Sequence, residues 1–470
     1  MQKVKNQDTL LSHGCQESRR IILEIAEKTL RRLDAGNRIR SIMRLEGDIL
    51  TVGTKSWDLS KKRNVYLVGA GKAANHMAMA VDSILGDRLT KGIVIVKIAE
   101  ETDHYLHTEI RVGGHPLPNE EGLRASRDIL RLVNEAGPED LFIAVMSGGS
   151  SALMSCPIKG ISLEDEIKTT DVLLKSGAGI AEINAVRRHI SSMNGGMLAK
   201  RISERGAELI GFSISDAVGR EPTNDIGVPD RHFRATPIGP DNTTLEDARN
   251  VIKNYALEGH LPESVINHLM NAGPECETPK EFPNNTYYLL NTLPDSVIYA
   301  KEEAEKMGIT AHILTSFLEG ESKDAGTMFA GIAREIQARG NPFPAPCVIL
   351  AAGETVTTIP EKMVLHGHGG PGQELTLSFA ITAEKAPGAA LLSIDSEGTD
   401  GTSMMAGGLT DSMSLANAKN AGIDVFRALR EHSCYEALNS MGDTVFTGNT
   451  GTNLCDLNIM FVPRAGDQNG

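Results

Sequence analysis

The chain has 470 residues, 40% of them hydrophobic, with 47 glycines, 20 prolines and one tryptophan, enough apolar material for about two or three domains with real cores. A formal net charge of -14 argues against nucleic acid or an anionic membrane as the main partner and favours a small metabolite held at a local positive site. The six cysteines are scattered singly, without CxxC spacing, as in a reducing cytoplasmic setting, and no apolar run approaches the ~18 residues of a membrane span.

In chain order, residues 19–33 place Ile21, Ile22, Ile25, Leu30 and Leu33 at helical spacing. This amphipathic helix is expected to pack a flank of the first sheet. Residues 64–74, NVYLVGAGKAA, read as a strand, a glycine turn and a helix entry, and Gly69-Ala70-Gly71-Lys72-Ala73-Ala74 matches G-x-G-x-x-A. The next strand, 92–96, ends at Lys97, where an NAD site would carry an acidic residue for the ribose hydroxyls. A Walker loop fails on spacing, and Ala73 stands where a magnesium-binding hydroxyl would be. What remains is Lys72 at a helix entry on a strand's C-terminal edge, where ligands of open α/β sheets sit.

His115 follows a further strand, on a turn stiffened by Pro116 and Pro118. The run FIAVM, 142–146, then stops abruptly in Ser147-Gly148-Gly149-Ser150-Ser151. A buried parallel strand feeding such a turn is an anion site in outline, because adjacent glycines let N–H groups converge and the serines add hydroxyl donors. Residues 164–199 are helical, with Asn184, Arg187 and Arg188 within about one turn. A strand over 208–215 delivers Asp216, and 220–244, with four prolines, is a long irregular connection.

Helical residues 244–270 close the first domain and Gly273-Pro274 reads as a linker, dividing the chain at 1–272 and 273–470. Strands at 287–290, 311–315 and 347–352 then alternate with helices at 296–307 and 324–340, which predicts a second, mostly parallel sheet. Four polar turns decorate it: GETVT from Gly353, GHGGPGQE from Gly367, DSEGTDGT from Asp395 and FTGNTGTN from Phe446. With the turns of the first domain they suggest a polar cleft between two sheets.

These stretches resemble the glycerate 2-kinase family, two-domain enzymes whose C-terminal part is the MOFRL domain. The resemblance rests on VGAGKAA, GGHPLPNEEG, SGGSSAL, LLKSGAGIAEINAVRRHIS with its NGG, ISDAVG, AAGET, GGPGQE, EGTDGT and TGNTGTN, and covers roughly residues 65–456. It implies two Rossmann-like α/β domains, ATP and magnesium, and phosphorylation of the 2-hydroxyl of a glycerate-like acid in an interdomain cleft. Lys72, Arg187 and Asp216 would then be catalytic, Ser147, Gly148, Gly149, Ser150, Ser151, His115 and Asn184 would bind substrate or phosphate, Glu354, Gln373, Thr450 and Asn453 the nucleotide, and Asp216 and Asp400 the metal.

Two departures from the family pattern stand out. Pro371 and Gly372 replace the R-N of G-G-R-N-Q-E, removing a cation and loosening the loop, and Arg220 replaces the carboxylate of S-D-V-x-G-D. Loss of an arginine from a phosphoryl clamp can cost ~10³–10⁵ in rate. Two other readings stay open: an NAD(P)H-dependent hydroxypyruvate-type reductase resting on the turn at Gly69, and a non-catalytic metabolite-binding homologue. A homodimer is compatible with each.

Overall fold

The computed structural model describes residues 2–100, 104–223, 225–231, 233, 237–360 and 362–466. The chain forms two compact units: Ala35–Ile214 with Asn224–Leu290, and Met1–Asp34 with Ser215–Thr223 and Asn291–Gly470.

The first unit opens with the helix Ala35–Ile42, followed by an antiparallel meander of β1 (Met43–Glu46), β2 (Ile49–Val52) and β3 (Lys55–Asp58). Its main sheet contains β4 (Asn64–Ala70), β5 (Lys91–Val96), β6 (Thr108–Val112), β7 (Asp140–Met146), β8 (Glu208–Ser215) and β9 (Thr286–Thr292), in the order β6-β5-β4-β7-β8-β9. Counted from its first strand this is the 3-2-1-4-5-6 order of doubly wound sheets. The strands from β6 through β8 pair in parallel. β7 is buried along its whole length, as its unbroken apolar run requires of a strand covered on both faces. Val68, Ala70, Phe142, Ala144 and Met146 alternate onto one face and pack against Leu123, Ile129 and Val133 of the helix Glu120–Glu135.

β9 belongs to this sheet, so the chain does not pass to the second unit at 273; the strand read at 287–290 is the last of the first sheet. The strand pattern was legible, but its sheet depends on a pairing with β8 that no local signal encodes.

A second core of the same unit holds the helices Ile180–His189 and Leu245–Asn254 together. Glu277 ties them: its carboxylate takes hydrogen bonds from Leu245 N–H at 3.0 Å and Lys280 Nζ at 2.7 Å, and lies 3.0 Å from His189 Nε2. Partial burial would raise its pKa, but these donors outweigh it and hold the carboxyl at about 2 rather than 4.5. A depressed carboxyl stabilises the fold above its unfolded pKa and loses that contribution as pH falls through the folded value. Glu277→Gln is therefore expected to lower stability by about 2 kcal/mol at pH 7, with the deficit shrinking from pH 4.5 towards 2. Urea midpoints of both proteins across that range test it, and a deficit independent of pH would refute the linkage.

The second unit carries β10 (Ala311–Leu318), β11 (Cys347–Gly353), β12 (Ala390–Asp395), β13 (Gly407–Asp411), β14 (Thr444–Val445) and β15 (Asp456–Val462), in the order β10-β11-β15-β12-β13-β14. Only β10 and β11 pair in parallel; β15 is inserted antiparallel between β11 and β12, and β13 and β14 add antiparallel pairs. The sheet is mixed, not mostly parallel as expected, because the last strand returns to its centre without a crossover helix.

The helix Gln16–Leu33 packs here as well, not on the first sheet. Ile22, Ile25, Ala26 and Leu30 join one core with Leu293, Val348, Leu350, Leu392 and Ile459. Arg19, fully buried on this helix, lies 2.8 Å from Asp443 and donates through Nε to Asp411. A buried guanidinium is tolerable only with such partners, so the pair fixes where the helix docks.

Candidate active site

β4 and β7 are neighbours with Ala70 opposite Met146, so the two glycine turns that follow them lie side by side. Gly71, at φ +143°, has Ser147 Oγ packed against it where a side chain would collide. The three N–H groups that lead into the helix Ala74–Leu85 are committed: Lys72 N–H to Gly148 O at 3.0 Å, Ala73 N–H to Ser147 Oγ at 3.0 Å, and Ala74 N–H to Gly71 O at 3.3 Å. A pyrophosphate would need those donors and the space over Gly71. The G-x-G-x-x-A turn is thus packed against the serine turn, with Ser147 Oγ in the space over Gly71, which speaks against the nicotinamide reading.

The serine turn itself is open. Ser147 N–H donates to Ala70 O and Ser150 N–H to Ser147 O, whereas the N–H groups of Gly148 and Gly149 reach no acceptor among the described residues. Gly149 sits at φ +86°, and a Cβ there would stand 3.0 Å from His115 Cδ2 and 3.3 Å from Lys72 Cγ. Two open donors, an imidazole and a lysine stem therefore share one corner of the sheet's C-terminal edge. Only glycine fits at 149, both for its backbone angle and for this approach. Beyond the turn, Ser151 O accepts from Asn194 Nδ2 at 3.1 Å.

Arg187 and Asn184 lie on the helix Ile180–His189, one turn apart. Arg188 is taken by Asp241 at 2.7 Å, but Arg187, half-buried, has no hydrogen bond or ion pair with any described residue. Burial lowers its pKa, and neighbouring Arg188 adds to this against the attraction of Glu166. Glu166 was not singled out from the sequence. It is fully enclosed, takes a hydrogen bond from Ser155, and lies in the first turn of the helix Leu163–Lys175. Beside Glu164 and Asp165 it reads as one more acid favoured at a helix N-terminus, and its burial has no local signature.

In the second unit Asp216 and Glu354 approach one thiol: Cys455 Sγ donates to Asp216 O at 3.4 Å and lies 3.9 Å from Glu354 Oε2. Burial, with Asp216, Glu354, Asp456 and Asp395 around it, drives that thiol's pKa far up. Asp400 is differently placed from the expected metal ligand. Its oxygens accept Gly372 N–H at 3.3 Å, Gln373 N–H at 2.8 Å and Gln373 Nε2 at 3.0 Å, so it caps the helix Pro371–Ala383. Its burial pushes the carboxyl up to about 6.

Gln373 is likewise fully buried, its amide nitrogen also bonded to Ser403 Oγ at 2.7 Å, and Thr450 is buried with its hydroxyl on Ser396 O. Both are held from within by neighbouring turns, while Gln373 Oε1 has no partner among the described residues. Asn453 donates to Glu397 Oε2 at 3.3 Å and leaves its Oδ1 without a partner among the described residues. Pro371 occupies the first helical position, where proline is pre-organised, and Gly372 is buried, its Cβ position 3.0 Å from Ser393 Oγ. The replacement therefore tightens this segment into a helix start and does not loosen a loop.

A doubly wound sheet whose C-terminal edge carries an open-donor turn places the chain among α/β proteins of the kind that bind ligands at that edge. Residues 21–270 match the family described as "Domain of unknown function (DUF4147)" and residues 347–456 match the MOFRL family. A glycerate 2-kinase of Pyrococcus horikoshii is 37% identical over 94% of this chain and 97% of its own length, and a D-glycerate 2-kinase of Thermotoga maritima 36% identical over 85% and 90%. A crystal structure of glycerate kinase from Thermotoga maritima superposes with a TM-score of 0.76 at 32% identity, covering 94% of this chain and 99% of that one. The chain belongs to the glycerate 2-kinase family.

Proposed function

We propose that this protein transfers the terminal phosphoryl group of ATP to the 2-hydroxyl of glycerate or a closely related small hydroxy acid. The observation that carries the reading is the pair of open N–H groups at Gly148 and Gly149 beside Lys72 and His115, a cradle for oxyanions at a sheet's C-terminal edge. The relatives named as glycerate 2-kinases supply the substrate class and ATP as donor.

Phosphoryl transfer asks little covalent chemistry of a protein, which must align donor and acceptor and match the charge spread over the moving oxygens. In this reading Gly148, Gly149, Ser147, Ser150 and Ser151 hold a phosphate or carboxylate, and Arg187 with Asn184 takes the substrate carboxylate. Lys72 meets the transferred group as a mobile point charge, and His115 faces the same anion. Asn453 and Glu354 are the remaining candidates on the nucleotide side.

Magnesium would add a Lewis acid on the phosphate oxygens. Among the described residues no group of three or more acidic, histidine or cysteine side chains is disposed to hold a metal ion. The Asp216 backbone carbonyl and the Glu354 carboxylate both reach Cys455 Sγ, so these two acids are the candidates for an ion that keeps phosphate oxygens and waters as most of its ligands, whereas Asp400, with its oxygens on N–H donors, is not one.

ADP release measured with ATP, magnesium and a panel of small hydroxy acids tests the reading. Turnover with D-glycerate or a near relative is expected, with no saturable quenching of NADPH fluorescence. Absence of ADP release with every acid, together with absence of ATP binding, removes it.

A further inference from the structure

We propose that Asp295 is a positioning residue, which through Thr223 holds the segment of residues 215–223 and so steadies Asp216 for an ion and the phosphate oxygens it carries. The inference rests on the reading of Asp216 and Glu354 as the candidate acids for magnesium, and adds a residue assigned contact with neither ion nor substrate.

Ser215 ends β8, yet Ser215–Thr223 belongs to the second unit. Past Ser215 the segment forms neither helix nor strand; Ala217, Val218 and Gly219 are exposed, and Gly219 stands at φ +85°. Its two ends are attached to residues of the same unit. At one end Cys455 Sγ donates to Asp216 O at 3.4 Å, on the thiol that Glu354 also reaches. At the other, Thr223 donates to the Asp295 carboxylate twice, from N–H to Oδ1 at 3.1 Å and from Oγ1 to Oδ2 at 2.8 Å. The Thr292 hydroxyl lies between Glu221 O at 3.0 Å and Asp295 Oδ2 at 3.1 Å and joins the same anchor. Freed at Thr223, the segment would hang from a weak thiol donor and a shared hydroxyl.

Asp295 lies in the first turn of the helix Leu293–Lys306, 1% exposed, and its Oδ2 also accepts Thr292 N–H at 2.7 Å to complete a capping box. The cap occupies one oxygen; the other is turned to Thr223 N–H. Burial pushes the carboxyl's pKa up, and the Thr292 and Thr223 donors pull against it. An asparagine here would set its NH2 against Thr223 N–H in one orientation and against Thr292 N–H in the other. The position therefore calls for a carboxylate, and capping the helix does not by itself account for both of its oxygens.

The test uses the full-length enzyme with Thr223→Val, which removes the hydroxyl without touching the helix cap, Thr223→Ser, which keeps it, and Asp295→Asn. Before metal or nucleotide is added, amide hydrogen exchange within residues 215–223 is expected to quicken about 10-fold or more in Thr223→Val and Asp295→Asn, and to stay near the wild-type rate in Thr223→Ser. In the same two variants the magnesium concentration for half-maximal ADP release should rise ~3–10-fold, with KM for the hydroxy acid within about twofold. The double variant should lose no more than Asp295→Asn alone, because both remove one tie. Thr223→Val carries the test by itself where Asp295→Asn folds poorly. Faster exchange with an unchanged magnesium requirement would show an anchor that serves the fold only, and unchanged exchange would show no anchor; either overturns the positioning role and leaves Asp216 its part. If Asp216→Asn itself leaves the magnesium requirement unchanged, the reading beneath this inference fails and the inference falls with it.

Discussion

Lys72→Met is expected to lower turnover about 10²–10³-fold while KM for ATP changes by less than about threefold. The size follows from the loss of one donor aimed at developing charge, ~3–4 kcal/mol by analogy with an oxyanion-hole donor. The lysine stands in the turn two residues ahead of the helix Ala74–Leu85, its N–H fixed to Gly148 O and its stem against Gly149, so its reach is set by two glycine turns at once. The substitution keeps the stem and every backbone bond, and the fold should melt within a few degrees of the wild type. A charge used mainly as the phosphoryl group moves shows itself in kcat; a charge that only attracts ATP shows itself in KM. Turnover preserved within about tenfold, some 1.4 kcal/mol, in a normally folded Lys72→Met protein would move the chemistry away from this turn.

The placement of Lys72 beside Ser147 was readable from sequence because it follows from one rule. Strands of a βαβ sheet deliver their C-terminal turns to a common edge, and VGAGKAA and MSGGSSA each end an apolar run in glycines. What the two turns do with their donors was not readable. The G-x-G-x-x-A spacing suggested the ligand turn, yet Ser147 Oγ fills it, and the open N–H groups sit at Gly148 and Gly149.

The second unit was legible in its turns and less so in its topology. DLNIMFV, the β15 segment, is a short apolar run with no turn chemistry to say that it inserts between β11 and β12. The stripe of the N-terminal helix showed which face is buried but not against which sheet, and Arg19 would pass for a solvated residue until its partners Asp411 and Asp443, nearly 400 positions later or more, are in view. The same limit hid Glu166. Gln373 and Asp400 show the converse: polar groups in glycine-rich turns read as ligand contacts, and their burial against one another has no local signal.

Arg187→Met carries the other large expected effect, a fall of about 10²–10³ in kcat/KM for the hydroxy acid, nearly all of it in KM for that substrate. The guanidinium already bears a desolvation cost that no described residue repays with a hydrogen bond, as its lowered pKa registers. A ligand carboxylate would supply the missing acceptor, two parallel N–H···O bonds in the favourable case, and truncating one side of such a pair typically costs ~2–5 kcal/mol. Methionine fills much of the stem's volume without the charge, and Glu166 can then take up a proton, so the folded state should lose no stability and its melting temperature should hold or rise. Loss of acid binding without loss of stability is the mark of a residue kept for its ligand. If KM for the acid stays within about twofold while the melting temperature drops, Arg187 serves the fold and the carboxylate is held elsewhere.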